Sequence, residues 1–190
     1  YTALFKKRPK GQQLSEIITG KAFTNLPNLV EEDFFCWILT PSLEKEALEL
    51  LRGLAQHLAV YDLTKVDEDL LKELYENLVD RETKHDLGEV YTPDWLVELT
   101  LREAGFGKGK RLLDPACGSG TFLFTAVRLL REQGLKGVAV VDEALQNIVG
   151  VDVHPLAVTI SKVNYILALI PDLAVYTKAV VIPVYMANSL

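Results

Sequence analysis

Asp114 and Asp152 each close a short apolar run, and just after the first of them a turn of small residues carries Gly118 and Gly120. In Leu112-Leu113-Asp114-Pro115-Ala116-Cys117-Gly118-Ser119-Gly120-Thr121-Phe122 the glycines lack a Cβ, so the backbone adopts conformations closed to other residues and lies directly against a ligand. The helix that follows starts with free N–H groups facing the same ligand. A Gly-x-Gly turn also occurs as a purely structural link between strand and helix, so its neighbours must decide. The second acid stands in Ile148-Val149-Gly150-Val151-Asp152-Val153-His154-Pro155. In open parallel sheets ligands settle beyond the carboxyl ends of the strands, which directs Asp114 and Asp152 to one crevice. There Asp152 can accept hydrogen bonds from both hydroxyls of a ribose. The competing reading makes it a cap for the helix after Pro155.

The spacing separates two kinds of nucleotide ligand. A nicotinamide dinucleotide calls for Gly-x-Gly-x-x-Gly or Ala, with the ribose acid about 20 residues on. Here Phe122 and Leu123 follow the second glycine, and Asp152 lies much further along. An acid at Asp114, ahead of the turn, repels a pyrophosphate and attracts an ammonium, directly or through water. The pattern favours a nucleoside with a positive amino-acid tail. Cys117 reads as a small buried filler at a close approach, because no base stands near it in sequence. His154 reads as part of the pocket rim, since no second metal ligand sits at helical spacing. His57 and His85 carry no partner pattern, and no metal motif is present.

Alternating elements have to hold these groups. Short apolar runs at residues 111–114, 147–152 and 179–184 predict buried strands. Residues 120–132, 142–146 and 155–169 read as helices, and 94–103 as another, with Trp95, Leu96, Leu99 and Leu101 apolar. This succession predicts an α/β fold with a parallel sheet and right-handed crossovers. From about Gln12 to Leu87 the pattern is helical: Leu43, Ala47, Leu50, Leu51, Leu54 and Leu58 recur at three and four, as do Leu70, Leu71, Leu74, Tyr75 and Leu78. Ser42 and Asp67, each before acidic residues, read as helix caps.

Hydrophobic residues make up 49% of the 190, enough for a sizeable core. The net charge of −6 argues against holding nucleic acid by the chain's own field, so a polynucleotide partner must be gripped locally or elsewhere. Lys6, Lys7, Arg8 and Lys10 form the single basic cluster and read as a solvated tail. Cys36 and Cys117 lie in unlike contexts and imply no disulfide framework, which fits a reduced, cytoplasmic setting. No signal peptide opens the chain, and no apolar run approaches the roughly 18 residues that span a bilayer. The first residue is Tyr1 rather than Met, so an upstream piece is expected.

The segments Asp114 to Phe122 and Gly150 to Pro155 together resemble the S-adenosylmethionine-binding motifs of N6-adenine DNA methyltransferases. Upstream, Gly88-Glu89-Val90-Tyr91-Thr92-Pro93 is similar to the motif that in this family precedes the cofactor turn. The helical preface is similar to that of type I modification subunits and fused restriction-modification enzymes, and the likeness covers Leu70 to Leu190. It implies a helical region at 1–87 and, at 88–190, part of a Rossmann-like S-adenosylmethionine-dependent methyltransferase domain. Carried over, it gives Tyr91, Thr92 and Pro93 the methionine carboxylate. Asp114 and the backbone of Ala116, Cys117, Gly118 and Gly120 receive the amine and sulfonium side. Asp152 receives the ribose hydroxyls, and Val153 the adenine ring. Asn188 stands where the family usually has an Asp that accepts from the adenine amino group; its carbonyl oxygen still accepts.

The family's target-amine tetrapeptide, Asn or Asp followed by Pro-Pro and an aromatic, has no counterpart, because all eight prolines stand singly. The resemblance therefore assigns no catalytic residue. It predicts an N-terminal fragment, inactive alone, whose first strand is left at a sheet edge and capped by the preface, a second copy or crystal contacts. DNA is the implied partner, reached mostly through regions outside these residues, with a specificity or restriction subunit and without a membrane. A non-catalytic cofactor-binding or scaffold module, or a methyltransferase acting on RNA or protein, shares the same first half.

Overall fold

The structure, a computed structural model, describes residues 11–30, 35–58 and 92–188. The chain divides into two compact units, Tyr1–Lys65 with Lys178–Val181, and Val66–Thr177 with Ile182–Leu190. The expected boundary between Leu87 and Gly88 falls outside the described residues, as do the Asp67 cap and the leucines from Leu70 to Leu78.

In the first unit, helix α1 (Gly11–Ile18) ends in a run of turns rather than in further helix. Phe23, Leu26 and Leu29 recur at every third position there, and their N–H groups reach back to Gly20, Phe23 and Leu26 at 2.9, 2.9 and 3.2 Å. All three are buried. A 3₁₀ turn at Cys36–Leu39 and helix α2 (Glu44–Leu58) follow. Glu44 and Glu46 lie in the first turn of α2, where the helix dipole favours acids. Ser42 stands in the turn ahead of that helix, and the Thr40 carbonyl accepts from the N–H groups of Leu43 and Glu44. Leu43, Leu50 and Leu54 are exposed although their spacing is that of a core-facing stripe.

The second unit holds helix α3 (Asp94–Glu103), strand β1 (Leu112–Asp114), helices α4 (Thr121–Glu132) and α5 (Val138–Asn147), strand β2 (Ile148–Asp152), helix α6 (Pro155–Leu173) and strand β3 (Val184–Met186). The strands are parallel in the order β1-β2-β3, with Leu113 opposite Val149 and Val151 opposite Tyr185. Among the described residues β1 is an edge strand, as expected. Ile148, Gly150 and Asp152 of β2 are buried, and α4, α5 and α6 pack against this strand. On the alternate positions Val149 and Val151 are half-buried, while Leu113 and Tyr185 are exposed.

Three elements of the second unit differ from the sequence reading by more than one residue. The third strand is not 179–184 but begins at Val184, because the N–H of Val180 is spent on the Asn25 carbonyl at 2.8 Å and Pro183 has no N–H to give. Helix α5 begins at Val138 rather than 142, since the packing of buried Val140 and Val141 overrides the weak helix propensity of valine. Helix α6 runs through Pro171 to Leu173 instead of ending at 169. The Asp172 carboxylate holds that last turn, accepting from Arg131 Nε and Nη2 at 2.8 and 2.6 Å and from the Gly137 N–H at 2.7 Å. Arg131 also donates to the Ala168 carbonyl.

No unbroken apolar run reaches 18 residues, yet α6, 19 residues long with an 18-residue stretch of mean hydropathy 1.4, is long and apolar enough to cross a bilayer. The protein uses that apolar surface for its core, with 72% of the stretch buried. Tyr165 and Leu169 of α6 are fully enclosed, together with Leu123, Val127 and Leu130 of α4 and Ile148 of β2.

Asp172→Ala leaves Arg131 and the Gly137 N–H without this acceptor, and is expected to cost about 2–3 kcal/mol. Urea unfolding followed by circular dichroism measures the loss; an unchanged midpoint would show that Asp172 does not hold the helix end.

Candidate cofactor site

The site is made by the segments that leave the carboxyl ends of the three strands. After Asp114 the chain turns through Pro115, and the Ala116 N–H donates to Asp114 Oδ1 at 3.2 Å. The Cys117 N–H donates to the Val151 carbonyl at 2.9 Å, which binds the turn to the end of β2. The Gly118 N–H then donates to Asp152 Oδ2 at 2.8 Å. Both glycines are left-handed, Gly118 at φ 52° and Gly120 at φ 88°, a region costly for other residues. The Gly120 N–H returns to the Cys117 carbonyl at 2.7 Å, and its own carbonyl accepts from Phe124 at 2.9 Å to start α4.

Asp152 is buried and joins all three segments. Oδ2 takes the Gly118 N–H, Oδ1 takes the His154 N–H at 2.8 Å, and its carbonyl takes the Ala187 N–H at 3.0 Å. The capping reading is thereby resolved. His154 occupies the cap position of α6 without a side-chain cap bond, and Asp152 secures the turn before the helix rather than the helix N–H groups.

Asp114 and Asp152 lie near enough for one charge to act on the other. Asp114 titrates above the ordinary carboxylate value, first because of burial and then because of the neighbouring Asp152 charge; the Ala116 N–H works the other way. Among the described residues neither carboxylate has a Lys or Arg partner. Two carboxylates beside a glycine turn without a resident cation fit a ligand that brings positive charge, such as an ammonium or a sulfonium. The thiol of Cys117 is pushed up to about 12, chiefly by burial, with Ser161 opposing and the Asp114 and Asp152 charges adding to the rise. A thiol so held is protonated at neutral pH and is not a nucleophile, in keeping with its reading as a filler.

Of the other expected residues, Ala116, Val153 and Asn188 are exposed, with Val153 and Asn188 directly beyond the ends of β2 and β3. Thr92 is half-buried and Pro93 exposed at the entry to α3, where the Pro93 carbonyl accepts from Leu96 and Val97. Tyr91 and Gly88 to Val90 lie outside the described residues. No group of His, Cys, Asp and Glu suited to a metal ion occurs among the described residues.

Three further residues support the turn; Gly150 was read only as a member of the second motif, and Ser161 and Asn164 escaped sequence reasoning. A Cβ on Gly150 would meet Leu123 Cδ1 at 2.6 Å and Cys117 Sγ at 3.1 Å, so this strand glycine lets α4 and the turn close on β2. Ser161 and Asn164 approach the turn from α6. Their signal was present as polar residues three apart in a largely apolar helix that also carries Thr159 and Lys162.

Residues 66–178 match the family described as N-6 DNA Methylase, which covers more than half of the chain. The chain belongs to the N-6 DNA methylase family. Two curated relatives from Methanocaldococcus jannaschii are similar to it. One is the type I restriction enzyme MjaVII methylase subunit, 29% identical over 92 residues, which are 47% of this chain and 16% of that protein. The other is the type I restriction enzyme MjaIX methylase subunit, 35% identical over 80 residues, covering 42% of this chain and 13% of that protein. The chain thus spans only a small part of the relatives it matches. A cryo-EM structure of a DrdV–DNA complex shares the fold, with a TM-score of 0.57 at 16% identity over 98% of this chain and 18% of that one. In this member of the family the parallel sheet and its helices are therefore part of an α/β methyltransferase fold, as expected.

Burial of Cys117 predicts slow alkylation. With iodoacetamide, the half-buried Cys36 is expected to react while Cys117 is protected until denaturant is added, read by peptide mass spectrometry. Equal rates in the folded protein would contradict the packing described here.

Proposed function

We propose that these residues are the S-adenosylmethionine-binding part of a DNA methyltransferase that methylates the N6 amine of adenine in a restriction-modification system. The observation that carries the reading is the pair of carboxylates, Asp114 and Asp152, meeting beside a left-handed glycine turn with no cationic partner among the described residues. In this reading Asp114 receives the ammonium of the methionine tail, and the backbone from Ala116 to Gly120 lies along the sulfonium side. Asp152 gives each carboxylate oxygen to one backbone N–H and keeps further lone pairs for the ribose hydroxyls. Val153 meets the adenine ring, and the Asn188 carbonyl oxygen accepts from its amino group. Tyr91, Thr92 and Pro93 hold the methionine carboxylate.

When bound, the cofactor supplies a methyl group already activated by the sulfonium. What remains for the protein is alignment, so orientation rather than acid or base assistance dominates. The groups that hold the target amine lie outside these residues in this reading, and the chain alone is inactive. The DNA contacts and any specificity or restriction subunit belong to the longer protein. The free cysteines suit a cytoplasmic setting.

Calorimetry with S-adenosylmethionine on the full-length polypeptide tests the proposal. Binding is expected, and Asp152→Ala is expected to abolish it. Because Asp114 titrates above its ordinary value and a bound cation lowers that titration, protons compete with the ligand. Affinity is therefore full at neutral pH and falls as pH drops through the Asp114 titration. Asp114→Asn is expected to weaken binding at pH 7 and to flatten this dependence. Absence of binding, or unaltered affinity in both variants, would remove the assignment.

A further inference from the structure

Helix α6 carries no residue of the three sequence motifs beyond its first proline, yet it supports the glycine turn from beneath. Asn164 is 1% exposed, and its Nδ2 donates to the Ser119 carbonyl at 2.8 Å. Ser161, three residues earlier and on the same helix face, is fully buried under Gly120. A Cβ on Gly120 would stand 2.5 Å from Ser161 Oγ and 3.2 Å from its Cα. The peptide joining Ser119 to Gly120 is consequently held at both ends. Its carbonyl accepts from Asn164 and its N–H donates to the Cys117 carbonyl at 2.7 Å.

Left-handed glycines stand on either side of Ser119, so this stretch of backbone has conformations open to it that other residues lack, and each rotation re-aims the groups that face a ligand. Burying an amide in an apolar helix costs free energy that an apolar residue would avoid, so the bond it makes has to offset that cost. From these observations we infer that Asn164 is a positioning residue that holds the Ser119–Gly120 peptide in its cofactor-binding orientation, with Ser161 as the floor beneath Gly120. The inference rests on the proposed cofactor reading. Pre-setting a turn raises affinity by removing the entropy lost when a mobile turn is ordered by its ligand.

Tyr165, the next residue on α6, supplies the matched control, because its buried hydroxyl donates to the Ile148 carbonyl at 3.2 Å, at the far end of β2 from the turn. In the full-length polypeptide, Asn164→Ala and Tyr165→Phe each delete one buried hydrogen bond of the same helix. Both are expected to lower the thermal midpoint. Asn164→Ala is expected to weaken S-adenosylhomocysteine at least tenfold in calorimetry, and Tyr165→Phe less than twofold. Hydrogen exchange at the Gly120 amide without ligand is expected to accelerate in Asn164→Ala alone. If Asn164→Ala does not fold, Asn164→Ser, which keeps a shortened donor, is read by the same two measurements.

Equal losses of affinity in proportion to the thermal midpoints would reduce Asn164 to a structural residue and overturn the inference. So would unchanged exchange at Gly120. Failure of the unaltered protein to bind S-adenosylhomocysteine would instead remove the cofactor reading, and the exchange result would still decide whether Asn164 sets the turn.

Discussion

The Asp152 carboxylate is the constraint on which the site depends. It lies at the end of the middle strand, and the segments leaving all three strands are tied to this residue, two through its carboxylate and one through its carbonyl. Burying a carboxylate is costly unless its oxygens are hydrogen-bonded, and the N–H groups of Gly118 and His154 meet that requirement. An acid is favoured over an amide here because both oxygens act as acceptors. The residue thereby serves the fold before any ligand arrives.

Asp114 plays the opposite part. Its carboxyl is held in a half-buried place beside another negative charge, with one backbone N–H for compensation. That arrangement costs stability at neutral pH, and a fold that retains it does so where the charge has a use. Asp152 is satisfied by backbone N–H groups, whereas Asp114 is incompletely compensated, which is the ground of the cofactor reading proposed above.

Helix α6 shows how an apolar sequence can carry several polar tasks. Its composition is that of a membrane span, yet it is buried within the protein, and its polar side chains act at separate places. Asn164 reaches the glycine turn, Tyr165 the start of β2, and Asp172 the loop before α5 together with Arg131. The apolar remainder supplies the core against α4 and β2.

Much of this was readable from residue order alone. The two acids, the glycines between strand and helix, the parallel order of the strands and the bounds of α3 follow from period, turn chemistry and local spacing, which are properties of neighbouring residues. What neighbours could not disclose were interactions between distant ones. The third strand shifted to Val184 because Val180 pairs with Asn25, and α6 outran Pro171 because Arg131 and Gly137 meet Asp172. Leu50 and Leu54 of α2 had the spacing of a core face and yet are exposed, since periodicity describes a face and not what covers it. The support of the glycine turn by Ser161 and Asn164 belongs to the same class. Spacing along the chain chose the groups with chemical capacity, and long-range packing chose their partners, because burial and hydrogen-bond satisfaction are set by whatever the folded chain brings within reach.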